Sequence, residues 1–349
     1  MNDKQKEKYI LESIKFQMEQ NIGSYNEKWF DDVTNHFNLF PKKLYRYVKL
    51  NRYTLDSISK NYIYMCPAFK LDDQFECRII DTLTDDIKSM DFSSDSFIDN
   101  LTDRLSRYPS DISKEQYKRL IRACVIDMNS KEIEKFFKKY GNSFERKNAQ
   151  QLQQLAADVV SDSNLSKENE KAALSLFKIA YNAYKEIGIG SLTECDKNQV
   201  MWEMYAKHYS GVCIEYDFSD DGFALSNTYP VLYRSKKNNN LIMDVIGSQL
   251  DTFVFQLSSG KIKEFNNTLK FMQVFLTKYK EWSFQKEWRI IGKPKDKIKV
   301  PKIKRIYVGK NVSSKQLEKL RNIAAEKNIM LYEQFDDFDT LQIKYKPLK

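Results

Sequence analysis

The chain has 349 residues, a mass of 41.4 kDa and a net charge of +9 from 57 Lys and Arg against 48 Asp and Glu. With 42 % hydrophobic and 13 % aromatic residues it has material for a real core, which excludes global disorder and allows one large domain or two ordinary ones. The glycines form no phosphate loop and Gly188-Ile-Gly190 lacks a third glycine; two histidines exclude a His-Glu-x-x-His zinc site, and five scattered cysteines exclude a disulfide framework.

In chain order, residues 1–41 predict two N-terminal helices, the second carrying Trp29, Phe30, Val33 and Phe37 at helical spacing. Pro41 breaks the pattern, and residues 42–91 begin an α+β core. Leu44-Tyr-Arg-Tyr-Val48 is a strand, a short helix runs from an N-capping Thr54 to Ser59, and Tyr62-Ile-Tyr-Met-Cys66 is a strand stopped by Pro67. Residues 92–186 lose strand signals and form a central helical insert, with a capping box at Ser113-Lys-Glu-Gln116. Residues 187–349 resume the core: a strand at Ile187–Leu192, a helix at 198–207 ended by Gly211, and strands at Val212–Tyr216 and Val231–Tyr233. A helical stretch follows at 240–277, then strands at Glu287–Ile291, Lys297–Val300 and Ile303–Gly309, a helix from Ser313 to Lys327, and a strand at Ile329–Glu333. Strands at both ends with helices between predict an α+β fold rather than a doubly wound sheet. The polar N-terminus lacks the apolar region of a signal peptide, and no run approaches the ~18 apolar residues of a membrane span, so a cytoplasmic protein without membrane contact is expected.

Four segments carry candidate chemistry. In Tyr45-Arg46-Tyr47, strand alternation puts the arginine on one face and both tyrosines on the other. The arginine is either a plain exposed cation or an anion contact, since guanidinium forks match phosphate. Asp72-Asp-Gln-Phe75-Glu76 carries three carboxylates; a turn or helix cap explains them better than a metal, and no metal is expected. Met201-Trp-Glu-Met-Tyr205 sets Trp202, Tyr205 and Tyr209 at helical spacing, which reads as a core stripe, and the lone His208 beside it is either a base or a hydrogen-bonded structural residue. In Gln285-Lys-Glu287-Trp-Arg289 a strand places Gln285, Glu287 and Arg289 on one face. Glu287 and Arg289 either pair on a surface, or Glu287 accepts a ribose hydroxyl and faces a developing oxocarbenium ion.

These segments, in this order, resemble a bacterial family, the domain-of-unknown-function family 2971. The likeness rests on Tyr45-Arg46-Tyr47, Ile63–Pro67 with Asp72–Glu76, Met201–Tyr216, and Lys278, Trp282 and Gln285–Arg289, with departures at Asp72, Gln74 and Gln285. It covers residues 43–80 and 187–310. A second resemblance is to the ADP-ribosyltransferase fold, which has an Arg or His on its first strand, an aromatic or Ser on its second, and Glu-x-Glu or Gln-x-Glu on a late strand.

That second resemblance implies an NAD-consuming effector of the bacterial toxin or antiphage-defence type, with NAD as substrate. Arg46 would contact the diphosphate or adenylate ribose, with Tyr47 beside it, and Tyr64 would stack on nicotinamide. Trp202 and Tyr205 would wall the pocket, Glu287 would stabilise the transition state and Gln285 would orient the acceptor. Glu287→Gln would abolish transfer with the fold intact. Two other functions stay open: a non-enzymatic nucleotide or nucleic-acid sensor, and a metal-dependent nuclease using Asp72, Asp73, Glu76 and Glu287. The helical insert would take a partner protein, and the acceptor would be a nucleic acid or a protein.

The charge is localised. Between Lys278 and Arg305 eleven basic residues oppose three acidic ones, so this stretch carries +8 of the net +9. A polyanion is therefore expected at Lys278, Arg289, Lys293, Lys295, Lys297 and Lys299, unless the alternating lysines only discourage strand-edge pairing.

Overall fold

The computed structural model describes residues 1–21, 38–71, 185–219, 227–235 and 266–348, with isolated residues between them. Most of the expected helical insert, the Trp29–Phe37 helix apart from Val33 and His36, and Asp72–Glu76 lie outside the described residues. What is described is a mixed α/β fold with few helices and one large mixed sheet.

Six consecutive strands build most of the sheet: β1 (Lys43–Lys49), β4 (Gly188–Thr193), β5 (Gly211–Asp217), β6 (Thr228–Pro230), β9 (Glu287–Gly292) and β11 (Ile303–Val308). With β12 (Met330–Asp337) and β13 (Gln342–Pro347) the order is β13-β12-β11-β5-β1-β4-β9-β6, and β3 (Cys66–Pro67) also pairs with β4. Neighbours are antiparallel except β11 and β12, whose parallel crossover is the helix Ser314–Lys327. Two small ribbons stand apart: β2 (Tyr62–Tyr64) with β10 (Lys297–Lys299), and β7 (Leu232–Arg234) with β8 (Thr277–Tyr279).

The helices whose bounds are described are α1 (Asp3–Asn21), α2 (Arg52–Lys60), α3 (Gln199–Met204), α4 (Asn266–Leu276) and α5 (Ser314–Lys327). The cap of α2 is Asn51, not Thr54: its side chain accepts from the Tyr53 and Thr54 amides at 2.9 and 3.0 Å, satisfying two otherwise orphaned donors. Pro67 does not end the extended chain, because it pairs with Gly188 in β3. The helix expected over 198–207 stops at Met204, because Lys207, His208 and Tyr209 turn left-handed in succession (φ 49°, 51° and 60°).

Alternation along the strands divides the core between the two faces. On one, Leu44, Val212, Ile214, Ile306 and Val308 pack with Ile58 of α2 and Leu320 and Ala324 of α5, and the cluster extends to Tyr9, Phe40 and Trp288. On the other, Tyr47, Cys213, Tyr307 and Ile343 pack with Trp202 and Tyr209. The buried Glu215 accepts a 2.6 Å hydrogen bond from the Tyr307 hydroxyl and is paired at 3.4 Å with both Lys43 and Arg305.

Helix α1 is pinned across β6 and β7. Lys6 donates to the Val231 carbonyl at 2.7 Å, Glu7 pairs with Arg234, and Gln17 donates to the Tyr229 hydroxyl at 2.8 Å. Here His36 Nε2 lies 2.8 Å from Ser13 Oγ and its Nδ1 lies 3.0 Å from Glu12. The geometry is that of a nucleophile triad, but Ser13 is 1 % exposed and its hydroxyl donates to the Tyr9 carbonyl, so the group acts as a clamp.

Candidate active site

The feature that makes a site is a split in the sheet. Strand β1 is paired with β5 along its whole length but meets β4 at one register position, Tyr45 opposite Thr193. The same edge of β4 is taken by β3 at Gly188 and Ile189, while its other edge is fully paired with β9. Between these two attachments β1 and β4 diverge, and a cavity of about 410 Å3 opens there. Its walls include Arg46, Tyr47, Ser191, Tyr205, Lys278, Trp282, Gln285 and Glu287.

The register settles which way these side chains face. Tyr45, Thr193 and Glu287 lie directly across from one another and share a face. Arg46 is one residue on, so it faces the opposite side, beside the Tyr216 hydroxyl, and reaches the cavity through the split. The expected division of Arg46 from its two tyrosines therefore holds. Tyr47 is buried, its ring edge-on to Trp202 at 5.3 Å, and its hydroxyl accepts from the Asn198 amide at 3.2 Å.

Glu287 sits on the wall as the anion of a buried charge cluster. Arg289 donates to it through Nε at 2.8 Å and a terminal nitrogen at 3.3 Å, and Lys278 Nζ lies 3.2 Å from Oε2. The third arm of Arg289 reaches the Phe275 carbonyl at 2.5 Å. Ser191, in the neighbouring strand, also hydrogen-bonds the carboxylate. Burial by itself would raise the Glu287 pKa. The Arg289 and Lys278 charges, with the Arg289 and Ser191 hydrogen bonds, outweigh it and hold the carboxyl at about 2. Glu287→Gln would take a carboxylate away from two buried cations, so the expected intact fold does not follow from this geometry.

Gln285 is not on the strand. It ends a 3₁₀ turn, Lys280–Gln285, and left-handed Lys286 (φ 42°) separates it from β9. The turn brings its amide onto the Tyr205 hydroxyl at 2.8 Å, and Thr193 Oγ1 holds its carbonyl at 2.5 Å. Gln285 and Glu287 thus reach one cavity by a route that strand alternation did not indicate.

The remaining expected residues lie elsewhere. Trp202 is fully buried beneath Tyr47 and Tyr209 and is core. Tyr64, in β2, is 44 % exposed and is not among the residues lining the cavity. Of the basic run, Lys278 and Arg289 are buried partners of Glu287, and only Lys278 lines the cavity. Lys293, Lys295, Lys297 and Lys299 are exposed around β10. Sequence reasoning missed Ser191; its one signal is the alternation of hydroxyls in Ser191-Leu-Thr193.

Among the described residues no helix is long and apolar enough to cross a membrane. The model of the family described as Protein of unknown function (DUF2971) matches residues 201–290, from α3 into β9, so the family resemblance holds over the segment that supplies Tyr205, Lys278, Gln285 and Glu287. No curated protein matches the chain, and no solved structure does.

Proposed function

Taking this DUF2971 segment as the premise, we propose that the cavity is a dinucleotide site of ADP-ribosyltransferase type, which takes NAD as substrate and breaks its nicotinamide–ribose bond. The observation that carries the reading is convergence. Arg46, Ser191 and Glu287, from three strands far apart in sequence, meet at one split in a sheet. The resemblance asks for a basic residue on a first strand, an aromatic or Ser on a second, and Gln-x-Glu on a late one. Here Ser191 of β4 takes the second place, which the sequence alone had given to Tyr64.

The geometry supports a role for each residue in this reading. Arg46 and Lys278 supply positive charge for the diphosphate. Glu287, held ionised by its neighbours, presents fixed negative charge to the developing oxocarbenium ion. Gln285, oriented by Tyr205 and Thr193, faces the acceptor side. Release of nicotinamide needs no proton from the enzyme, since the leaving pyridinium carries away the bonding electron pair as a neutral base. The ribosyl cation is then captured by water or by the acceptor, which loses a proton.

One observation favours binding without turnover. Both carboxylate oxygens of Glu287 already carry cations, so a ribose hydroxyl must displace part of that pairing. The same occupancy weakens the reading of Glu287 as a metal ligand in a nuclease, because a metal would compete with two buried cations.

The test is incubation with NAD, following nicotinamide release by chromatography and label transfer to an extract. Glu287→Asp keeps the counter-charge but withdraws the carboxylate by one methylene, and should lower turnover about a hundredfold. Gln285→Ala should retain nicotinamide release and lose label transfer. NAD bound by calorimetry with no nicotinamide released would establish the sensor instead.

A further inference from the structure

The β2–β10 ribbon lies outside the cavity, and its composition suits a different ligand. Ile63 and Ile298 face each other across the ribbon and point into the core. By alternation Tyr62, Tyr64, Lys297 and Lys299 occupy the other face, with Tyr64 opposite Lys297 and Tyr62 opposite Lys299. The two tyrosines differ. Tyr62 is covered: its hydroxyl donates to Asp56 at 2.7 Å, and the Lys297 ammonium lies 4.7 Å above its ring. Tyr64 is 44 % exposed.

Some surface lysines are matched to acids, as Lys304 is to Asp217, Lys310 to Asp336 and Lys344 to Asp337. Among the described residues no acid pairs with Lys293, Lys295 or Lys299. These three stand exposed along the β9–β10 turn and β10 itself.

From this juxtaposition of an open aromatic ring and unmatched lysines, we propose that the outer face of the β2–β10 ribbon binds single-stranded nucleic acid, with a base stacked on Tyr64 and phosphates held by Lys293, Lys295 and Lys299. Stacking needs a base whose face is free, which a duplex does not offer, and the lysines gain by releasing counterions from a phosphate chain. An acidic peptide would use the lysines but leave Tyr64 without a flat partner. The ribbon continues through Met65 into β3, whose Cys66 lines the cavity, so a bound strand passes close to that site. The proposal does not depend on chemistry in the cavity.

The experiment is fluorescence anisotropy of a short labelled oligothymidylate over a series of salt concentrations, without NAD. The parent protein should bind it more tightly than the matching duplex. Tyr64→Ala should weaken binding about tenfold with the salt slope unchanged, and Tyr64→Phe should bind like the parent. Replacing Lys293, Lys295 and Lys299 together by Gln should reduce the salt slope by about two. All are exposed side chains, and an unchanged thermal midpoint confirms that the variants fold. No binding by the parent, equal binding of Tyr64→Ala, or a slope unmoved by the lysine changes would overturn the proposal. Since the assay holds no NAD, its outcome is separate from that of the nicotinamide-release test.

Discussion

Glu287 shows how one residue ties stability to the site. It is 5 % exposed and balances Arg289 and Lys278, both inside the protein. Its carboxyl is held at about 2, below the ordinary 4.5. A depressed carboxyl contributes stability that is complete above pH ~4.5 and is lost as pH falls toward ~2, because the unfolded chain takes up the proton first. Glu287→Gln removes that contribution at neutral pH and takes a carboxylate from two buried cations, at a cost of about 3–5 kcal/mol. Urea midpoints at neutral pH should fall accordingly, and the variant should lose less than the parent as pH drops through this window. Equal midpoints would mean that the two cations find other partners. This cost is also why Glu287→Asp is the better probe of chemistry.

At the scale of elements, the informative junction is the one between α3 and β5. Three successive left-handed residues, Lys207, His208 and Tyr209, replace the helix turn expected there. Left-handed backbone costs an L-residue ~1–2 kcal/mol, so the turn persists because its surroundings hold it. Gly211 and Gly309 let them do so. A Cβ on Gly211 would sit 2.2 Å from the Val48 carbonyl and 2.9 Å from that of Ala206, and one on Gly309 would sit 2.2 Å from the Tyr209 carbonyl. These obstacles are backbone and cannot rotate aside. Gly211→Ala should therefore destabilise by about 2–3 kcal/mol. Lys207→Gly relieves one left-handed residue but frees the unfolded chain, for a net gain below ~1 kcal/mol. Both shifts are within reach of chemical denaturation, and opposite signs are expected.

For the whole molecule, the sheet is in effect two halves held edge to edge. One carries β13, β12, β11, β5 and β1; the other carries β3, β4, β9 and β6; a single register position joins them directly. A ligand in the cavity would bridge the halves. Nucleotide binding should then slow amide exchange on β1 and β4 together and raise the thermal midpoint with ligand concentration. Protection limited to the lysine ribbon would place the nucleotide on β2–β10 instead. The helix α1, clamped to β6 and β7, braces the second half from outside.

The local pieces are legible along the chain without its fold. Aromatic and β-branched alternation marked β1, β5 and β9. Asn198 and Ser313 opened α3 and α5 where the pattern changed period, and the family resemblance singled out Arg46, Tyr205, Gln285 and Glu287, which line one cavity. Such signals act between residues a few positions apart, so they survive without knowledge of neighbours. Tertiary structure alone decided which strands lie side by side. It brought Ser191 to Glu287, buried Arg289 and Lys278 as counter-charges, left Tyr64 on an outer ribbon, and added β13, for which no strand was expected. The +8 carried between Lys278 and Arg305 divided in the same way, into an interior pair that neutralises a carboxylate and an exposed set of lysines. Alternation tells which residues share a face; only the pairing of distant strands tells what that face meets, and that pairing is set by the packing of the whole core.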